Sequence, residues 1–292
     1  MDITGKVAVV TGAGHGIGAA IAHRLVEGGA QVVVGDLDAA AARDVAEDLY
    51  ARTPGSAVAV AGDVSTDAGV EALVQAAEQA FGPVDLYVAN AGVGCGQGLA
   101  AAEDDWSLAW DINVMAHVRA ARRLVPGWVE RGKGYFFSTA SAAGLLTQIG
   151  SPVYAVTKHG AVAFAEWLRV TYGDRGVRVS CLCPMGVDTA LLHAGADSDD
   201  DDARRSNAAV VQAGGVLSPL ECADVVMATL ASEEFLCLPH PEVRTMFGYK
   251  GSDYDRWIGG MQRYRASLAP ERPAGGDVAP SSDPIPSTDH RE

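Results

Sequence analysis

Thr11-Gly12-Ala13-Gly14-His15-Gly16-Ile17-Gly18 joins an apolar run, Lys6–Thr11, to a stretch of helical spacing, Ile17–Glu27. Glycines at 12, 16 and 18 let the backbone turn tightly between strand and helix and come close to a bound group. The free N–H groups at the helix start would then meet a pyrophosphate, whose charge they attract. On that reading the contacts are Gly12, His15, Gly16, Ile17 and Gly18. For the glycines alone, a strand–helix turn that merely needs small residues is the alternative.

Outward from this loop, apolar runs and helical spacing alternate. Gln31–Asp36, Ala57–Ala61, Val84–Ala89, Gly134–Thr139 and Val177–Cys183 read as strands, and Ala39–Ala51, Asp67–Phe81 and Pro152–Tyr172 as helices. A helical region from Asp104 to Arg131 contains Pro126-Gly127 and is expected to bend there. The strands are continuously apolar rather than alternating, which predicts a parallel sheet covered on both faces. Right-handed crossovers make it doubly wound. The expectation is a single-domain, Rossmann-type α/β fold over residues 1–268, with about seven strands and helices on both faces.

After Pro184 the pattern breaks. Residues 189–217 are expected to form a substrate lid, and the run Asp197-Ser198-Asp199-Asp200-Asp201-Asp202 lies within them. That run lacks the spacing and glycine of a calcium loop and reads as a solvated, mobile segment. A helix over Pro219–Ala231 and a short strand at Phe235–Leu238 follow. An extension over residues 240–268 carries Tyr249, Tyr254, Trp257, Met261 and Tyr264, which fold over the pocket or over a neighbouring subunit. Residues 269–292, rich in Pro, Ser, Gly and Asp, are predicted to be disordered.

Composition excludes several classes. With 48% hydrophobic and 20% charged residues the chain is ordinary globular protein. A net charge of -15 would repel a phosphate backbone, so nucleic acid is not an expected partner. No signal peptide and no uncharged stretch of about 20 apolar residues is visible, so a soluble, cytoplasmic protein without a membrane partner is expected. Five cysteines (Cys95, Cys181, Cys183, Cys222, Cys237) show no paired metal spacing, and no metal is expected.

Chemistry-bearing residues fall at strand ends. Asp36 closes the second strand, where a carboxylate accepts adenosine-ribose hydroxyls and repels a 2′-phosphate, which favours NAD over NADP. Asp63-Val64 and Asn90-Ala91-Gly92 close the third and fourth strands, where ligands of such sheets bind; a turn cap for Asp63 and local backbone bonds for Asn90 remain open. Tyr154 and Lys158 share a helix face at i and i+4, thirteen residues beyond Ser141. A free phenol titrates near 10, too high for a good base at neutral pH. A neighbouring ammonium and a positive nicotinamide ring are expected to bring it down. Ser141 can then hold the substrate oxygen, and Asn113 a water that links Lys158 to solvent. Taken singly, Ser141 in a polar loop, Asn113 as a helix cap and a Tyr–Lys pair on a surface helix say little. Their joint occurrence at successive strand ends carries the reading.

With these motifs the chain resembles the short-chain dehydrogenase/reductases over roughly residues 1–240: the TGxxxGxG loop at Thr11–Gly18, the NAG segment at Asn90–Gly92, Asn113, Ser141, and the YxxxK pair Tyr154/Lys158. The resemblance implies that Asn113, Ser141, Tyr154 and Lys158 form a catalytic tetrad and that Lys158 also binds the nicotinamide ribose. It places the nicotinamide amide at Val187 and Thr189, and it implies a homo-oligomer, dimer or tetramer, to which the helices around Trp128 and Trp167 contribute unless they are core. One departure is Pro184-Met185 where the family usually has Pro-Gly; Met185 reshapes the wall beside the nicotinamide or points into the substrate cavity.

Leu146, Gln148, Met185 and Leu192 are the expected substrate contacts, with Leu145, Ile149 and Leu191 nearby and His193 facing solvent. No Lys or Arg occurs in these stretches, so a fairly hydrophobic secondary alcohol or ketone is the expected substrate. The expected activity is NAD-dependent oxidoreduction with Tyr154 as general acid/base. A nicotinamide-dependent epimerase of the same fold and a catalytically inactive NAD(H)-sensing protein are the rivals.

Overall fold

Valine-rich runs lie fully buried at the centre of the computed structural model, which describes residues 1–196 and 198–268. They belong to seven strands: β1 (Val7–Thr11), β2 (Gln31–Asp36), β3 (Ala57–Ala61), β4 (Leu86–Ala89), β5 (Gly134–Thr139), β6 (Val177–Leu182) and β7 (Leu236–Cys237). The sheet order is β3-β2-β1-β4-β5-β6-β7, and every pairing is parallel. Only β3, at one edge, alternates between covered and exposed positions, as an edge strand facing water on one side should.

The helices are α1 (Gly16–Glu27), α2 (Ala39–Arg52), α3 (Asp67–Ala80), α4 (Glu103–Trp110), α5 (Ala116–Glu130), α6 (Pro152–Tyr172), α7 (Ala190–His193), α8 (Asp201–Ala213), α9 (Pro219–Ser232), α10 (Glu242–Ser252) and α11 (Tyr254–Ser267). Each face of the sheet carries its own apolar layer. Leu73 and Val74 of α3, Leu124 and Trp128 of α5 and Ala165 and Leu168 of α6 pack on one face. Ile21 and Leu25 of α1, Leu49 of α2 and Val226 and Leu230 of α9 pack on the other. The chain leaves β3, crosses β2 and β1, and enters the sheet again at β4. The carboxyl ends of β1 and β4 therefore diverge into the crevice where open α/β sheets take ligands.

Two stretches carry detail beyond their sequence reading. The helix runs on through Pro126, which lies inside α5 on an exposed face. There the carbonyl that proline leaves unbonded can be met by water, and the helix tolerates it. Before it, between α4 and α5, lies a π turn at Asp111–Met115. Its extra residue turns Asn113 inward, where it is fully buried. The acidic run leads into a helix. Asp200 caps α8, accepting from the N–H groups of Asp202 (2.7 Å) and Ala203 (3.0 Å). Asp201 and Asp202 occupy the first turn, where negative charge meets the helix dipole. They pair with Arg204 and Arg205. Asp197, and the 269–292 stretch read as disordered, lie outside the described residues.

Of the two tryptophans the sequence left between core and interface, Trp128 is core and Trp167 is about half exposed, stacked on Phe164. The Trp128 indole N–H donates to the carbonyl of Val84 at 2.8 Å. Trp128→Phe deletes that bond and part of the ring, and should lower stability by about 1–2 kcal/mol. A shift of the urea midpoint at unchanged slope is the measurement.

Candidate active site

A cavity of about 1080 Å³ opens at the carboxyl ends of the strands. Gly12, His15, Gly16 and Ile17 of the glycine loop line it, as do Asp36, Asp63, Val64, Asn90, Ala91, Gly92, Val187 and Thr189. Gly18 lies behind the loop and shapes it: a Cβ there would fall 2.1 Å from the carbonyl oxygen of Gly12. Gly12 itself has φ +61, a left-handed conformation that side chains resist. At Gly12 and Gly16 the loop therefore presents backbone to the cavity, beside His15 and Ile17.

The polar residues at the strand ends hold that loop. Asn90 Nδ2 donates to the carbonyls of Thr11 (3.0 Å) and Gly12 (3.2 Å), and its own N–H donates to the Thr11 hydroxyl. So Asn90 bonds backbone, the alternative left open for it, but the backbone it bonds is the glycine loop. Asp36 Oδ2 accepts from Gly14 N–H at 2.9 Å and Oδ1 from Asp38 N–H at 3.0 Å. Asp63 Oδ1 accepts from Ser65 N–H at 2.9 Å, a turn bond, while the residue lines the cavity.

Ser141, Tyr154 and Lys158 meet on the opposite wall. Ser141 opens a short 3-10 turn, Ala142–Gly144, its hydroxyl accepting from Ala143 N–H at 3.1 Å and donating to the Pro184 carbonyl at 3.5 Å. Lys158 is buried, its Nζ donating to the Thr139 carbonyl at 3.1 Å and standing 5.6 Å from the Tyr154 ring centroid. Asn113 does not line the cavity; it stands behind Gly92. Its Oδ1 accepts from Val93 N–H (2.9 Å), and its Nδ2 donates to the Val93 carbonyl (3.0 Å) and the Thr157 hydroxyl (3.1 Å).

The expected lowering of the phenol counts the charge of a nicotinamide ring; in the protein alone burial dominates. Burial pushes the Tyr154 phenol up, against a smaller lowering by the Ser141 hydroxyl. The Lys158 ammonium does not win, because its nearest acceptor is the Thr139 carbonyl and burial disfavours its own charge, bringing it down to about 8. A phenol with a hydroxyl and an ammonium at hand can still give a proton to an oxygen and take it back. Behind them lies His117, which sequence reasoning missed: its Nδ1 is 3.0 Å from Ser138 Oγ, and burial lowers it to about 3, so it stays neutral.

On the substrate side, Leu146, Gln148, Met185 and Leu192 all line the cavity, with Ile149 and Leu191. Leu145 does not; it is buried in the layer below. His193 is exposed, its Nε2 2.7 Å from Asp188 Oδ1. Gln148 Nε2 donates to the Ser206 carbonyl (3.1 Å) and hydroxyl (3.0 Å), which ties the loop after Ser141 to α8. The Met185 N–H donates to His240 Nδ1 at 3.1 Å, another partner the sequence did not reveal. Met246, Tyr249, Trp257, Met261 and Tyr264 close the cavity from the C-terminal extension, whereas Tyr254 lines a shallower hollow beside it. Apart from Lys158, no Lys or Arg lines the cavity among the described residues. Among the same residues no three metal-binding side chains cluster, and no helix is long and apolar enough to cross a membrane.

The sequence profile of the short chain dehydrogenases matches residues 6–200. A 1-deoxy-11-beta-hydroxypentalenate dehydrogenase of Streptomyces avermitilis is 31% identical over 276 residues, covering 92% of this chain and 97% of that one. A short chain dehydrogenase/reductase from Burkholderia phymatum, solved in complex with NAD, is 31% identical at TM-score 0.79 over 87% of this chain and 96% of its own. L-Sorbose reductase from Gluconobacter frateurii, solved with NADPH and L-sorbose, is 30% identical at TM-score 0.72, covering 82% and 95%. The chain belongs to the short-chain dehydrogenase/reductase family. It is an oxidoreductase whose fold binds a nicotinamide cofactor.

Proposed function

We propose that this protein is an NAD-dependent enzyme that interconverts a fairly hydrophobic secondary alcohol and its ketone. The observation that carries the reading is that one cavity joins the glycine loop to Ser141, Tyr154 and Lys158. The dinucleotide fits this site because a Cβ at Gly12 would fall 2.9 Å from the Ala91 Cα, so only glycine lets the loop pack this closely on the end of β4 and leave its backbone facing the cavity. Gly12, His15, Gly16, Ile17 and Gly18 would hold its pyrophosphate, with Asp63, Val64, Asn90, Ala91 and Gly92 beside the adenosine half and Val187 and Thr189 at the nicotinamide amide. When bound, the cofactor supplies the acceptor or donor of a hydride at the substrate carbon.

The chain's own residues handle the oxygen. Ser141 donates a hydrogen bond to it, and Tyr154 takes its proton on oxidation or returns one on reduction. Lys158 supports charge on the phenol and holds the nicotinamide ribose. Asn113 fixes the Gly92–Val93 backbone beside Lys158, and its proton path runs through water. Leu146, Met185 and Leu192 contact the substrate body, and Gln148 shapes the wall. The apolar lining without Arg supports a ring alcohol or ketone in place of a carboxylate. The hydroxypentalenate relative, by its name, acts on a hydroxylated carboxylate, which supports the alcohol part of this reading and not the preference against an acid. Exposed Val156, Trp167 and Val170 on α6 support a homo-oligomer.

The direct test follows the absorbance of reduced nicotinamide while purified protein and NAD⁺ meet a panel of hydrophobic secondary alcohols. Reduced cofactor must accumulate with at least one of them, and silence across the panel would refute the reading. Asp36 gives a second prediction. Its carboxylate lies at the cavity mouth beside exposed Leu37, with no cation next to it in sequence. Wild type should prefer NAD over NADP by about tenfold or more, and Asp36→Ala with Leu37→Arg should reverse the preference. Dissociation constants for the two reduced cofactors decide it; a wild type that favours NADPH would overturn the assignment.

A further inference from the structure

α10 and α11 leave the last strand and return across the mouth of the cavity, and one side chain secures them there. Lys250, on α10, is 7% exposed. Its Nζ donates to the carbonyls of Leu145 (2.8 Å) and Leu146 (2.6 Å) and lies 3.4 Å from His159 Nε2. It also stands 5.0 Å from the Trp257 ring centroid and 5.7 Å from that of Tyr254. Nδ1 of His159 is 2.8 Å from the Ala155 carbonyl. A carbonyl only accepts, so Nδ1 carries the hydrogen and Nε2 offers a lone pair to the ammonium. Every one of these partners is uncharged. A buried ammonium must recover its lost hydration from such a cage of carbonyls, ring nitrogen and aromatic faces.

What the ammonium grips matters more than the grip itself. Leu145 and Leu146 end the turn that Ser141 opens, both donating back to the Ala142 carbonyl. The same backbone runs on into Leu146, Gln148 and Ile149 of the cavity wall. On the other side of α11 the Tyr264 hydroxyl donates to the Ala209 carbonyl of α8 at 2.8 Å. Met261 and Tyr264 pack there against Ile149 and Ala209. Thus α11 is fastened to the Ser141 loop at one edge and to α8 at the other, and its Trp257 and Met261 form the wall between.

We propose that Lys250 is a positioning residue that sets which substrates the cavity accepts, by holding the α10–α11 pair and the 145–149 loop in register. It touches neither proton nor reacting carbon. The proposal rests on the alcohol–ketone reading of this cavity. With Lys250 in place the wall meets a large ring system and discriminates in its favour; without it, large ketones lose contact while small ones, held near Ser141 and Tyr154, do not.

The test compares the full-length wild type with Lys250→Met and Tyr264→Phe, using trans-1-decalone and cyclohexanone as probe ketones. In Lys250→Met, amide hydrogen exchange over 145–149 and 254–264 should quicken about tenfold or more, with a smaller change in Tyr264→Phe. KM for decalone should rise about tenfold or more, while kcat for cyclohexanone and NADH affinity stay within about threefold. Unchanged exchange over 145–149 in both variants would overturn the part given to Lys250. So would equal losses of kcat for both ketones, which mark a general folding defect. Wild type inert toward both ketones would overturn the selectivity claim through the cavity assignment, an outcome the exchange data keep separate from a failure of Lys250.

Discussion

Tyr154→Phe is expected to lower kcat by about 10²–10⁴-fold while leaving NADH affinity within about twofold. The substitution keeps the ring and removes one oxygen, so the fold has little reason to respond. That oxygen is the group placed to exchange a proton with the substrate, and Tyr154 lines the same cavity as Ser141. Its burial makes the prediction sharper. A phenol raised by desolvation is a poor base in free enzyme, so the oxidation rate should climb with pH until the phenolate form is populated. Reduction asks the protonated phenol for its hydrogen and should be flatter over the same range. Stopped-flow single turnovers in both directions, with wild type and variant, separate the proton step from cofactor release. A variant that keeps more than about a tenth of wild-type single-turnover rate would remove Tyr154 from the mechanism.

Much of this arrangement is legible from periodicity and spacing, because the sheet's strands are continuous valine and alanine runs whose burial is uniform. Asp36, Asn90 and Ser141 end strands in the sequence and for that reason point into one crevice in space. The parts that were hidden depend on partners distant in the chain. Asn113 reads as a helix start, whereas it turns inward because a π turn adds a residue where the Val93 backbone needs two hydrogen bonds. The acidic run reads as a loop by charge density, yet Asp200 caps a helix and Arg204 and Arg205 answer its charge. Lys250 carried no periodic signal: it lies on α10, whereas Tyr254 and Trp257 lie on α11, across the extended residue Asp253. What spacing cannot give is the pair of carbonyls, about a hundred positions earlier, that completes its cage. The sign of the Tyr154 shift was likewise hidden, since it turns on whether burial or a cation dominates.

Lys158→Met should lower kcat by about 10²–10³-fold, the loss of one fixed charge beside the developing phenolate, and it should also change how stability depends on pH. Lys158 is buried, with the Thr139 carbonyl 3.1 Å from its ammonium. Burial lowers it from 10.5 to about 8 in the folded protein. A lysine depressed by folding is a penalty wherever the unfolded chain would hold the proton. That penalty is complete below pH about 8 and fades as pH rises towards 10.5, because the unfolded state then binds more protons than the native one. Wild type should therefore gain stability relative to Lys158→Met across that window, by at most roughly 3 kcal/mol. Groups common to both proteins cancel in the difference. Urea midpoints for both proteins at the two ends of the window measure it. A difference independent of pH would mean that Lys158 keeps its ordinary proton affinity in the fold, and that the carbonyl of Thr139 repays its burial in full.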